Sequence, residues 1–238
     1  LRGLGVDVRC GAQITEVRSR DAGPEVVTPA GVEGFDRVVL TVPSPAVAQL
    51  CPGMAPAERE RHASQEYIGV VCASVLLERP LADYYVTNIT DSGLPFTAVI
   101  EMTALVDPAE LNGARLVYLP RYALAEDDIW RESDESIKER FLKALESMYP
   151  DFRREDVRAF QVSRARSVLP LPALHYSSNL PAIHTSLPGV SVVNSVRIVG
   201  GTLNVNETIQ LAERAVAENL LPSLTAQSPA PATPEVVS

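Results

Sequence analysis

"VRIVGGTLNVNETIQLAERAV", residues 196–216, decides how the rest of the chain is read. A Gly-Gly turn at Gly200-Gly201 leads into Asn204, and Glu207 follows three residues later, the spacing of a capping box. Ile209, Ala212, Val216 and Leu220 recur at helical intervals, so the segment predicts an amphipathic helix with that stripe buried. The short apolar run "GVSVVNS" at 189–195 predicts a buried strand just before it. A strand, a glycine turn and a helix start offer backbone N–H groups and a partial positive charge to an anionic or carbonyl-bearing ligand. The same elements also suit a plainly capped helix. There is no G-x-G-x-x-G and no P-loop, so this stretch alone licenses no nucleotide site.

Working outward, the 238 residues allow one large domain or two small ones, with 46% hydrophobic and 21% charged residues. The formal net charge of −9 argues against nucleic acid as a partner, because phosphate backbones recruit dense Lys/Arg patches. It gives no reason to expect docking on anionic membranes either. No apolar run is long enough to span a bilayer. Cys10, Cys51 and Cys72 are odd in number and far apart, which predicts incidental buried thiols in a reduced, cytoplasmic protein. The chain opens on Leu1 in "LRGLGVDVRCGAQITEV", which reads like the middle of a protein and predicts a fragment.

Mixed helix and strand signals run along the chain. "GVDVRC" and "AQITEVRSR" predict two short strands, and "DAGPEVVTPAGVEGFDRVVLTVP" a hairpin followed by a strand. Arg37 to Val42, ended by Pro43, predicts a strand buried on both faces. "SPAVAQL" and "APAERERHASQ" predict short helices opened by Ser or Pro. "IGVVCASVLLERP", "FTAVIEMTALV", "ARLVYLPRYAL" and "VRAFQVSRARSVLP" predict strands. "SDESIKERFLKALESMYP" predicts the clearest helix, capped by Ser133 or Asp134, with Ile137, Phe141, Leu145 and Met148 buried. "PLPALHYSSNLPAIHTSLPG" reads as a Pro-rich irregular link. Residues 223–238 read as a disordered tail.

Three stretches carry a resemblance. "LGVDVRCGAQITEVRS", "FDRVVLTVPSPAVAQL" and "PGVSVVNSVRIVGGTLNVNETIQLAERAV" resemble, in that order and spacing, the C-terminal part of FAD-dependent oxidoreductases of the flavin amine oxidase and protoporphyrinogen oxidase superfamily. "YYVTNITDSGLPFTAVIEMTALVDP" is similar to a bacterial subgroup of it. The resemblance covers residues 1 to about 222. It implies an α/β fold of mixed α+β type: a substrate-binding domain with a largely antiparallel sheet at 44–170, flanked by pieces of a Rossmann-like FAD-binding domain at 1–43 and 171–222.

The resemblance also implies a site. The Ile14 backbone would lie beside the adenine, and Thr41 and Pro43 near the adenosine end of FAD. Ser195 stands where the family has an acidic residue on the ribityl or pyrophosphate region; the usual Gly-acid pair is Asn194-Ser195 here. Val205, Asn206 and Glu207 would aim backbone N–H groups at the flavin C2 carbonyl, where reduction builds negative charge. His175 and Tyr176 would line a substrate pocket. The implied reaction is hydride transfer from an organic small-molecule substrate to flavin N5, with no acid or base to name. The alternatives are a non-catalytic binding module on the same fold and a flavin-using isomerase of the sugar mutase type. The N-terminal dinucleotide fingerprint is missing, so the implied partner is the absent FAD-binding half, and the isolated chain is expected to be inactive.

The remaining polar residues read as structural. Lys138 and Lys143, the only lysines, sit on the polar side of the amphipathic helix, and neither suits the lysine that many amine oxidases place near the flavin. His62, in "ERERHASQE", reads as a surface helix position. His175 and His184 lack metal-ligand spacing, and no metal is expected. Arg164 and Arg166 alternate on one strand face and read as partners of surface carboxylates.

Overall fold

Helix α3 (Asp134–Met148) forms where the sequence places it. The Ser133 hydroxyl accepts the Ser136 N–H at 3.2 Å, satisfying one of the donors that a helix start leaves open, and Asp134 and Glu135 complement the first turn. Its apolar stripe of Ile137, Phe141 and Leu145 is fully buried. The computed structural model describes residues 1–201 and 203–221; the tail expected at 223–238 lies outside the described residues. The chain divides into two compact units, residues 1–65 with 172–238, and residues 66–171. The sequence drew its domain boundaries at 43/44 and 170/171, and the 44–65 segment joins the first unit instead.

The second unit is an antiparallel sheet of five strands in the order β6 (Val86–Asn88), β7 (Ala98–Glu101), β8 (Arg115–Ala123), β5 (Tyr67–Leu77), β9 (Val157–Pro170). Burial alternates strictly along β5, so Val71, Ala73, Val75 and Leu77 face one side. That side carries the core with Val117, Leu119, Phe96, Phe141 and Leu145. Phe96 and Phe141 meet edge to face, ring centroids 5.3 Å apart. The β5–β9 register slips between Ile68 and Val70. Gly69 sits at the slip because a Cβ there would lie 2.6 Å from the Trp130 ring. The Trp130 indole donates to the Leu124 carbonyl at 2.6 Å, and Arg166 stacks 4.8 Å from its centroid. Arg166 thus pairs with a ring, while Arg164 pairs with Asp134 at 2.6 Å, as expected of it. The unit begins and ends at one point, where the Leu171 N–H donates to the Glu66 carbonyl at 3.0 Å.

The first unit holds a meander of β1 (Glu16–Arg20), β2 (Gly23–Thr28) and β3 (Gly31–Gly34). A parallel pair of β4 (Val38–Leu40) and β10 (Val190–Val192) lies in the same unit, with helices α1 (Ser44–Leu50), α2 (Pro56–Ala63) and α4 (Val205–Ala215). Gly189 turns the chain into β10 at φ 78°, and a Cβ would come within 2.8 Å of the Pro24 ring, so only glycine fits.

Several expectations change here. "GVDVRC" forms no strand. Val39 in β4 is 43% exposed, so this strand is not buried on both faces; β10 is its only strand neighbour among the described residues. The α4 stripe is also different. Leu211 and Ala215 are buried, whereas Ile209 is 51% exposed and Ala212, Val216 and most of the helix face outward. Cys10 is exposed, Cys51 buried and Cys72 half-buried, so only one thiol is fully interior. The mixed α and antiparallel-β fold class stands.

Candidate functional site

Two chain segments leave the parallel pair side by side. The Val193 N–H donates to the Leu40 carbonyl at 2.9 Å, and at the next residue the Asn194 side-chain amide donates to the Val42 carbonyl at 2.8 Å. Thr41 and Pro43 follow β4, and Ser195 follows β10, so these three predicted residues share the carboxyl end of the two parallel strands. Open α/β sheets bind ligands at that end.

Behind the exits lies a polar cluster that the sequence did not reveal. Asn194 Nδ2 donates to Ser44 Oγ at 3.2 Å, and His62 Nδ1 lies 3.2 Å from the same oxygen. Ser44 and His62 are fully buried and Asn194 is 6% exposed. His62 is therefore no surface residue: α2 turns it inward onto α1, and burial lowers its pKa. The Asn194 amide is oriented by its two donations, which leaves Oδ1 buried with no partner among the described residues. Arg197 donates to the Pro181 carbonyl at 2.7 Å, and burial lowers its pKa as well. The only available signal for this cluster was Ser44 after Pro43, which also reads as a helix start; the charges around His62 masked its burial.

At α4, Asn204 is the cap. Its Oδ1 accepts the Glu207 N–H at 2.9 Å. Glu207 reaches back over the turn, where a Cβ on Gly201 would lie 2.7 Å from its carboxyl carbon. Gly200 has open space on the side where a Cβ would stand, and neither glycine adopts positive φ. The capped Glu207 N–H is thus occupied. The N–H groups of Val205 and Asn206 have no partner among the described residues, and both side chains are exposed.

Ile14 lies elsewhere in the first unit, on a cavity of about 1160 Å³ lined by Arg9, Gln13, Val26, Thr28, Glu33 and Phe35 among others. None of Thr41, Pro43 and Ser195 lines it. Tyr176 is held by its own hydroxyl, which donates to the Val196 carbonyl at 2.8 Å, and exposed His175 takes a left-handed φ of 60°. Among the described residues no group of His, Cys, Asp and Glu could hold a metal, and no helix is long and apolar enough to cross a membrane.

Residues 2–183 match the sequence model of the flavin containing amine oxidoreductases, more than half of the chain. The chain belongs to that family. The match stops short of β10 and α4. Those elements are reached by the likeness to solved structures, which at these identities is a likeness of fold. Putrescine oxidase bound to putrescine is 18% identical, with a TM-score of 0.70 over 92% of this chain and 51% of that one. A provisionally named protoporphyrinogen oxidase from Exiguobacterium sp. 255-15 is 16% identical, TM-score 0.68, over 93% and 48%. Reduced UDP-galactopyranose mutase is 14% identical, TM-score 0.56, over 71% and 37%. The chain thus spans about half the length of the two oxidase structures. Among curated proteins no sequence matches it.

The residues present fit a flavin. Among the described residues, a buried, unpartnered acceptor at Asn194 stands beside the strand exits, and two N–H groups without a partner open α4. These are the donor and acceptor types that a polyol and a ring carbonyl require.

Proposed function

We propose that the chain is about half of an FAD-dependent oxidoreductase that moves a hydride from a substrate carbon to flavin N5, and that it works in the cytoplasm. The observation that carries this reading is the family match over residues 2–183. The family match also favours redox chemistry over the isomerase alternative, since the likeness to the mutase is one of fold. The first unit would contribute to FAD binding and the second to substrate binding.

When bound, the flavin supplies the redox chemistry; the chain supplies placement and electrostatics. The free N–H groups of Val205 and Asn206 would donate to the C2 carbonyl side, where the helix start favours added negative charge. Glu207 would shape that turn through its cap rather than through its N–H. Ser195 would approach the ribityl chain from the β10 exit, and Thr41 and Pro43 the adenosine end from the β4 exit. The Ile14 backbone would meet the adenine. His175 and Tyr176 would contact substrate, Tyr176 from a position fixed by Val196. No side chain of this chain is assigned proton transfer.

The 238 residues contain no G-x-G-x-x-G, so the main pyrophosphate cradle would come from a further segment or another polypeptide. The isolated chain is expected to bind FAD weakly or not at all and to be inactive. A visible spectrum of purified residues 1–238 tests this. A colourless protein that gains flavin absorbance only with the dinucleotide-binding half supports the proposal. A yellow protein with stoichiometric flavin would show that the affinity resides in this half, and a complete pair that never takes up flavin would overturn the cofactor assignment.

A further inference from the structure

The second unit carries a groove of about 620 Å³ that the oxidoreductase reading leaves unused. One wall is a single stripe of α3, with Arg140, Lys143, Ala144 and Ser147 at the three- and four-residue spacing of one helix face. Arg121 of β8 enters from the sheet side. Leu94, Pro95 and Ile129 add an apolar lining. The volume lies within the range of small-molecule pockets.

Three carboxylates also line the groove, and each is engaged. Asp127 accepts the Leu124 N–H at 3.0 Å. Asp128 pairs with Arg131 at 2.9 Å. Glu132 holds Arg140 at 2.8 Å and accepts the Ser136 hydroxyl. Arg121 and Lys143 make no side-chain hydrogen bond or close ion pair among the described residues, although Glu146 lies within electrostatic reach of Lys143. Of the three cations on the groove only Arg140 is in an ion pair among the described residues, with Glu132. Lys143 is exposed, as expected of the polar face of α3, and it lines the same groove as the half-buried Arg121.

We propose that this groove binds a small organic anion, its phosphate or carboxylate group held between Arg121 and Lys143 and its apolar body against Leu94, Pro95 and Ile129. A guanidinium fork and an ammonium lining one groove suit an oxyanion, because charge-assisted bonds from both are short and strong. The apolar lining separates this site from a mere screening patch for inorganic ions.

The test uses residues 1–238 as they stand, with phenyl phosphate as probe, followed by calorimetry and by the fluorescence of Trp130, the sole tryptophan, adjacent in sequence to the groove residue Ile129. Inorganic phosphate lacks the apolar body, and benzyl alcohol lacks the charge. Arg121→Gln and Lys143→Gln are each expected to weaken phenyl phosphate binding about tenfold or more. Lys138→Gln, on the same helix but outside the groove lining, leaves it unchanged. Circular dichroism confirms that the variants are folded. Saturable binding of phenyl phosphate, weaker binding of inorganic phosphate and none of benzyl alcohol sustain the proposal. Absence of saturable binding, equal binding of benzyl alcohol, or an equal loss in Lys138→Gln overturns it.

Discussion

Asn206→Pro in the flavin-loaded complete enzyme separates the two readings of the α4 start. Asn206 is the second residue of the helix, and its N–H has no partner among the described residues. Proline there removes a donor that the helix itself does not use. Helix α1 already tolerates Pro45 at the same second position, so α4 should persist. The Asn204 cap on Glu207 is untouched, and the melting temperature should move little. If the N–H serves the flavin, reduction loses one hydrogen bond to a group that becomes charged, worth roughly 1.5–3 kcal/mol. For a two-electron couple, about 30 mV corresponds to 1.4 kcal/mol, so the potential should fall by about 30–65 mV. Substrate reduction of the flavin should slow with it. A spectroscopic redox titration beside a thermal melt reads both quantities. An unchanged potential in a folded, flavin-loaded variant would refute the functional reading and leave α4 as a capped helix only.

Other outcomes follow from the cores and the buried titrating groups. Phe141→Ala removes a fully buried ring in edge contact with Phe96 and should cost about 3–5 kcal/mol in urea unfolding; a loss below 1 kcal/mol would mean that the second unit repacks around the gap. His62 is neutral in its buried cluster with a lowered pKa, so the stability it contributes is present above the ordinary value of 6.5 and is lost as pH falls toward the folded value. A melt series from pH 7.5 to 5 should show that loss, and His62→Gln should flatten it. Glu101 is buried, accepts the Leu81 and Ala82 N–H groups, and has its pKa raised first by that burial. Its stability contribution is therefore present at low pH and is lost as pH rises through the raised value, so Glu101→Gln should be at least as stable as the parent at pH 7. A marked destabilisation at pH 7 would show that the carboxylate charge is favourable where it sits.

Legibility in the sequence followed the length and regularity of each element. Helix α3 has four apolar residues at helical spacing and a Ser cap, and β5 is an eleven-residue β-rich run, so the second unit was readable. Helix α2 has only eight residues, half of them charged, and in so short a helix periodicity cannot show that one residue, His62, turns inward. For α4 the cap was chemical and local, and Asn204 fulfilled it. Its buried face was set by tertiary contacts, which chose Leu211 and Ala215 over the expected stripe. The site followed the same division. Thr41, Pro43 and Ser195 came from the family resemblance, and the local sequence supplied only the strand endings that they follow. Asn194 with Ser44 joins positions 150 apart, a pairing that a single sequence does not display.

The hydrogen bond from Leu171 to Glu66 gives residues 66–171 the character of a cassette. The segment leaves and rejoins the rest of the chain at adjacent positions, and it carries its own sheet, helix and core. Insertions of this kind can be exchanged without re-threading their host, because the host sees only one junction. Residues 66–171 should therefore fold when expressed alone, and a short bridge from Gln65 to Pro172 should close the remainder. If the proposed division of roles holds, substrate preference and cofactor binding could change by separate routes, one within the cassette and one within its host.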